Sequence, residues 1–243
     1  MKLFLYRIYQ LVVMLPVLLV ATVVTALCNI IGCSLGGGRW WGYYPSHLWG
    51  CLFCIMTLVK VKVSGRENID EKTSYVFVAN HQGAYDIFSI YGYLDHPFRW
   101  MMKASLRKIP LIGFACEKSG QIYVDKSSPS AIRRTMDRAC QELRGGASLV
   151  VFPEGARTFT GKMRPFKRGA FTLAQDFGLP LVPVTIDGSF SVMPRTAKIP
   201  RWGHINITIH KPVAAPTSHE EQAEVMRHCF DEVESALPAA QRG

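Results

Sequence analysis

The order of apolar and polar positions divides this chain into two unlike parts. From Ile8 to Gly38 there is no charged residue, and Leu11 to Ile31 is nearly continuous Leu, Val, Ile, Ala and Thr. A spanning helix needs about 20 apolar residues, so a helix of that kind is predicted here. Lys2 and Arg7 precede it as in a signal peptide, but the run exceeds a typical h-region and no Ala-x-Ala site follows, so it reads as a retained anchor. Beyond the turn-like Gly36-Gly37-Gly38-Arg39, a second uncharged stretch covers Trp40 to Val59; its apolar part, Leu48 to Val59, is too short to span. Trp40, Trp41, Tyr43, Tyr44 and Trp49 are the amphipathic aromatics expected at headgroup depth. A single span with Lys2 and Arg7 inside would leave the rest of the chain outside. A hairpin that dips in and returns keeps the basic body on the cytosolic side, and that arrangement is the preferred one.

After Val59 the pattern changes to the period of two expected of a strand, Lys60-Val61-Lys62-Val63, which sets the boundary between a membrane-associated helical segment (1–59) and an α/β domain (60–243). Tyr75 to Ala79, Arg99 to Met102, Gln121 to Val124, Leu149 to Phe152, Leu181 to Ile186 and Ile205 to His210 read as further strands. Helices are predicted over Asp86 to Leu94, from Ser128-Pro129 with a core stripe of Ile132, Met136, Ala139 and Leu143 that ends at Gly145-Gly146, and over Gly169 to Phe177. Ser218-His219-Glu220-Glu221 is a capping box opening a last helix. The alternation implies an α/β fold, a central and largely buried mixed sheet flanked by helices, preceded by a membrane-binding helical hairpin.

A chain of 243 residues has room for one full-sized core. Its 28 Lys and Arg against 18 Asp and Glu give a net charge of +10, which favours an anionic partner: nucleic acid, an anionic membrane or a phosphorylated substrate. The apolar N-terminal segment points to a phospholipid membrane, and no DNA- or RNA-reading signature is present, so a nucleic-acid partner is not expected. Seven cysteines, an odd number with four in the apolar segment, fit reduced thiols in a cytosol-facing protein. Cys51 and Cys54 read as packed thiols a helical turn apart, and the scattered histidines give no metal-ligand spacing.

Two motifs sit where strand-like runs end. In Asn80-His81-Gln82-Gly83-Ala84-Tyr85-Asp86, His81 can act as a neutral base near pH 7 and Asp86 can fix its tautomer, provided His81 precedes the helix so that its ring folds back over the first turn. The competing reading makes His81 a helix cap and Asp86 a first-turn acid stabilised by the dipole. In Phe152-Pro153-Glu154-Gly155-Ala156-Arg157-Thr158, Arg157 supplies a cation, Gly155 permits close backbone approach, and Glu154 can orient the Arg or bind a substrate hydroxyl. Lys162, Arg164, Lys167 and Arg168 make the following loop densely basic, which is a phosphate site or a solvated turn. Lys103, ahead of the apolar Ile109-Pro110-Leu111-Ile112-Gly113, suits a lipid with a charged head or a surface position. No Gly-x-Ser-x-Gly elbow is present, so a substrate hydroxyl attacking directly is simpler than an acyl-enzyme.

Four blocks in order, Asn80-His81-Gln82 through Asp86, Gly120-Gln121-Ile122-Tyr123-Val124-Asp125-Lys126, Phe152 to Thr158, and Val182-Pro183-Val184, resemble the glycerolipid acyltransferase family, specifically its bacterial 1-acyl-sn-glycerol-3-phosphate acyltransferases. The resemblance covers the body from Val61 to the C-terminal helix. It implies His81 as general base with Asp86 as its partner, and lysophosphatidic acid acylated by a thioester of coenzyme A or acyl carrier protein, with no further cofactor. It assigns phosphate binding to Glu154, Gly155 and Arg157, with Lys103 and Lys126 as further candidates, and gives Val182, Pro183 and Val184 the acyl groove or its support. It also implies an inner-membrane enzyme of phospholipid synthesis whose catalytic domain faces the cytosol. The second block ends in Lys126 where the family commonly has Arg, and Ala156 stands where it commonly has Thr. Another lysophospholipid or a lyso-aminolipid as acceptor, and a catalytically silent lipid-binding protein of the same fold, are the alternatives.

Overall fold

The computed structural model describes residues 1–125, 127–144 and 146–243. The uncharged N-terminal run forms α1 (Lys2–Ser34), 33 residues long and apolar enough to cross a membrane, with one π-helical turn at Gln10–Met14. At 1.5 Å per residue it extends about 50 Å. The chain reverses through a short helical turn at Gly38–Trp41 into α2 (Tyr44–Met56), which runs antiparallel to α1. Between the two helices the Trp49 indole donates to the Thr22 hydroxyl and the Asn29 amide to Ser46, while the Tyr9 hydroxyl donates to the Met56 carbonyl.

One stripe of α1 is buried along its whole length: Tyr6, Gln10, Met14, Leu18, Ala26, Asn29 and Gly32. These are the helical spacings of a single face. Its two ends meet the body at distant points. Near the N-terminus the Gln10 side chain donates to the Pro200 carbonyl (2.9 Å) and Tyr6 packs edge-on against Trp202; near the C-terminus α1 packs on α4 (Ile112–Lys118). The opposite face exposes a band of Leu, Val and Ile from Leu3 to Leu35. The second helix is pressed onto α3 (Tyr85–Tyr93) by two glycines. A Cβ on Gly50 would stand 2.7 Å from the Phe88 carbonyl oxygen, and one on Gly92 2.6 Å from the Cys51 nitrogen.

Among the described residues the sheet has seven strands: β1 (Val59–Ser64), β2 (Val76–Ala79), β3 (Phe98–Lys103), β4 (Ile122–Val124), β5 (Ser148–Val151), β6 (Leu181–Asp187) and β7 (Gly203–Ile209). Their order is β1-β7-β6-β2-β5-β3-β4, and every neighbouring pair is parallel except β6 with β7. The central strand β2 is buried at every residue, which is why it reads as an uninterrupted apolar run. One face is covered by α2 and α3, the other by α6 (Gly169–Phe177) and α7 (His219–Ser235), with α5 (Pro129–Arg144) beside β4. The capping box of α7 forms: Ser218 Oγ accepts from the Glu221 amide at 3.1 Å, and the Glu221 carboxylate reaches back to the Thr217 amide at 2.7 Å.

One local expectation changes. Ile132, read as core, is 48 % exposed at the first turn of α5, while Ala139 is fully buried; the side chain of Leu143 lies outside those described.

Candidate active site

Where β2 ends, Asn80 is locked to β6. Its amide donates to the Ile186 carbonyl (2.8 Å), and its oxygen accepts from the Ile186 amide (2.7 Å). That lock puts the next residue, His81, at the C-terminal edge of the parallel strands, ahead of α3 rather than within it. The ring therefore folds back over the first turn of α3, and His81 Nδ1 lies 2.7 Å from Asp86 Oδ2. A carboxylate can only accept, so Nδ1 carries the hydrogen and Nε2 keeps its lone pair.

Asp86 is fully buried and fixed from four directions. The amides of Gln82 and Gly83 donate to Oδ2 at 2.8 and 2.9 Å, beside His81, and the Ser189 hydroxyl donates to Oδ1. The His81 ring lies parallel to Phe152 at 3.9 Å between centroids, and Phe152 stacks in turn on Trp100. Phe152 on one face and Asp86 at Nδ1 together set the orientation of the imidazole.

The second motif is bonded to the first through the backbone. Glu154 Oε1 accepts from the His81 amide (2.7 Å), Oε2 accepts from the Arg164 amide (3.0 Å), and the Thr158 amide donates to the His81 carbonyl (3.1 Å). Burial pushes the Glu154 carboxyl up to about 7, against the pull of those two amides, and the nearby Asp86 adds to the rise. Gly155 takes φ 80°, which closes a tight turn from its amide to the Phe152 carbonyl; a Cβ there would stand 3.0 Å from the Lys167 ammonium.

A cavity of 1160 Å³ opens from His81. Lys103, Arg157, Lys167 and Arg195 line it as cations; Ile87, Phe88, Met101, Met102, Leu106 and Ile109 are among its apolar residues, and Thr22, Ala26, Asn29 and Trp49 bring the hairpin into its wall. Ile132 faces this space, which accounts for its exposure. Among the described residues the Arg157 side chain has no acidic partner. The arrangement can deprotonate a hydroxyl at Nε2 while holding an anionic group and an apolar chain.

His81, Asp86, Gly155, Arg157 and Lys103 thus come together. Glu154 does not line the cavity; it is 1 % exposed and spends both oxygens on the backbone of the two motifs. Val182, Pro183 and Val184 lie in β6, buried in the sheet and apart from the cavity lining. Lys126 falls outside the described residues. Three participants had no sequence reading as site residues: Ser189, which follows a different strand, Arg195 in the next loop, and Trp100 behind Phe152.

A family model described as Acyltransferase matches residues 60–187. The chain is 32% identical over 173 residues to a chloroplastic 1-acyl-sn-glycerol-3-phosphate acyltransferase of Brassica napus, covering 70% of this chain and 50% of that one. It is 30% identical over 179 residues to a 1-acyl-sn-glycerol-3-phosphate acyltransferase of Helicobacter pylori, covering 72% of this chain and 75% of the other. The chain spans about half the length of the plant relatives it matches. In structure it is similar to the 1-acyl-sn-glycerophosphate acyltransferase PlsC of Thermotoga maritima, with a TM-score of 0.69, 28% identity, and coverage of 78% of this chain and 76% of the other.

Proposed function

This chain belongs to the acyltransferase family, and from that premise we propose that it transfers an acyl chain from a coenzyme A or acyl carrier protein thioester to the free hydroxyl of 1-acylglycerol 3-phosphate, giving phosphatidic acid. The observation that carries the proposal is His81, held by buried Asp86 at 2.7 Å, in a cavity that joins four cations to an apolar interior. Nε2 takes the proton of the glycerol hydroxyl as its oxygen attacks the thioester carbonyl. The carbon–sulfur bond then breaks, and the departing thiolate recovers that proton from Nε2. A positioned base contributes about 10²–10⁴-fold, and the thiolate is a good leaving group, so no covalent enzyme intermediate is required. Arg157, with Lys103, meets the phosphate dianion, and Gly155 lets the loop backbone approach it. Glu154 acts beneath the surface by fixing the His81 backbone.

The hairpin serves the membrane. Because both ends of α1 touch the body, the helix lies along it, and its exposed apolar face enters one leaflet in the bilayer plane with the basic body on the cytosolic side. An acceptor lipid then reaches the cavity without leaving the membrane.

The test is thiol release from long-chain acyl-CoA and from acyl carrier protein thioesters in detergent, with lysophosphatidic acid as acceptor. Acceptor-dependent release that disappears in His81→Ala supports the proposal. Release absent with both donors, or equal in His81→Ala, rejects it.

A further inference from the structure

At the end of the sheet opposite His81, where β3 and β5 begin, a separate pocket of 310 Å³ lies against the turn of the N-terminal hairpin. It shares no lining residue with the His81 cavity. Five of its lining side chains are Lys or Arg and two are Glu, so it is electropositive.

Two of its side chains are more than nine-tenths buried and keep a donor without an acceptor. Arg99, 7 % exposed, spends Nη1 on the carbonyls of Gly42 and Phe98 and Nη2 on that of Gly38, but among the described residues Nε has no hydrogen-bond partner. The carboxylate facing it, Glu142, stands 3.9 Å from Nε, beyond hydrogen-bond reach, while lying 3.0 Å from Arg138. His96, 3 % exposed, has Nε2 at 2.8 Å from Ser148 Oγ. Ser148 already accepts from the Tyr75 amide (3.0 Å), so its own hydrogen is available for Nε2. In that pairing the ring hydrogen sits on Nδ1, which has no partner among the described residues.

Buried polar groups are normally hydrogen-bonded. Two unused donors on buried side chains that line an electropositive pocket call for an anion with several acceptor oxygens, and a single carboxylate, which Glu142 already supplies, serves only one side. We propose that this pocket is a second phosphate-binding site, with Arg99 Nε–H and His96 Nδ1–H as its buried donors and Arg39, Lys72 and Lys118 as its outer cations. The phosphate comes from an anionic phospholipid headgroup: Arg39 belongs to the hairpin turn, beside Trp40 and Trp41, which are 53 % and 37 % exposed, as aromatics at headgroup depth are. Free phosphate shares the chemistry. Through Arg99, whose other hydrogens hold the carbonyls of Gly38 and Gly42, an occupied pocket fastens the hairpin turn to β3.

The test uses the full chain in a nonionic maltoside detergent with ¹⁵N-labelled histidine, His96 being assigned from His96→Gln. Imidazole ¹⁵N signals are followed while inorganic phosphate, short-chain phosphatidylglycerol or short-chain phosphatidylcholine is added. The expected result is a saturable shift at His96 with an apparent Kd at least tenfold weaker in Lys72→Glu/Lys118→Glu, while the response of His81 is the same in both proteins. Saturation at lower phosphatidylglycerol than inorganic phosphate, with phosphatidylcholine weaker, supports the headgroup as source; the reverse order supports the site with free phosphate as source. A His96 signal unmoved by all three probes overturns the proposal, as does an equal shift in the double variant and in the milder Lys72→Gln/Lys118→Gln.

Discussion

Replacing Asp86 by Asn separates what its charge does from what its shape does. Oδ2 accepts from His81 Nδ1, the Gln82 amide and the Gly83 amide, and Oδ1 accepts only from the Ser189 hydroxyl. In Asp86→Asn the amide oxygen can keep all three donors at the Oδ2 position. The new NH₂ then faces Ser189, whose hydroxyl turns from donor to acceptor. The fold should lose no more than about 1 kcal/mol, the scale of one exchanged hydrogen bond. What disappears is a negative charge beside an imidazolium as it forms; at about 4 Å and an effective dielectric of about 20 that is roughly 4 kcal/mol, or about 10³-fold in rate. Measured as kcat for thiol release, Asp86→Asn should fall about a thousandfold, with the acceptor KM and the thermal midpoint little changed. Asp86→Ala should differ, because it strands two buried amides and a buried hydroxyl at about 1–3 kcal/mol each and so loses stability as well as rate. If Asp86→Asn retains a tenth of the parent kcat, or is as unstable as Asp86→Ala, the assignment of Asp86 as the charge partner of His81 fails.

The buried Glu154 makes a pH prediction. Its carboxyl is raised from 4.5 to about 7, so between those values the folded state holds a proton the unfolded state has released, and stability falls as pH rises through that window and is level above it. The unfolding free energy of the parent minus that of Glu154→Gln should drop by up to about 3 kcal/mol from pH 4.5 to 7, and a flat difference in denaturant titrations would contradict the burial argument. Arg157→Ala should raise the KM for lysophosphatidic acid about 10–100-fold, the worth of a charged hydrogen bond, and leave kcat within a few-fold; a kcat loss at unchanged KM would move Arg157 from binding to chemistry. Gly50→Val places side-chain carbon against the Phe88 carbonyl and the Gly92 amide and should destabilise by about 1–3 kcal/mol, read as a lower thermal midpoint; an unchanged midpoint would mean that α2 is not held by this contact.

Elements announced by apolar patterning were legible residue by residue. β2 and β6 are buried throughout or nearly so and stand out as apolar runs, and α7 carries its capping box openly. The order of the strands was not legible, because a short buried strand carries no mark of which neighbour it will pair with; that β7 lies antiparallel to β6 and parallel to β1 depends on the whole packing. The meeting of His81 with Asp86 was legible conditionally: it required His81 to precede the helix, and the Asn80 lock to β6 meets that condition. Glu154 shows the converse limit. Sequence placed it in a ligand loop, but whether a carboxylate faces a cavity or turns inward is decided by backbone amides contributed by His81 and Arg164, 73 and 10 residues away.

The same separation in sequence explains why no local pattern marks Ser189 and Arg195. Both follow β6, whose Val182-Pro183-Val184 segment is core. Its functional consequence lies beyond its end. The strand is paired in register with β2, Val184 opposite Ala79, so its C-terminal end delivers Ser189 to Asp86 on the same edge where β2 delivers His81. Parallel pairing therefore does the assembling: three strands, β2, β5 and β6, end on one edge and bring His81, the loop of Glu154 to Thr158 and the support for Asp86 into contact.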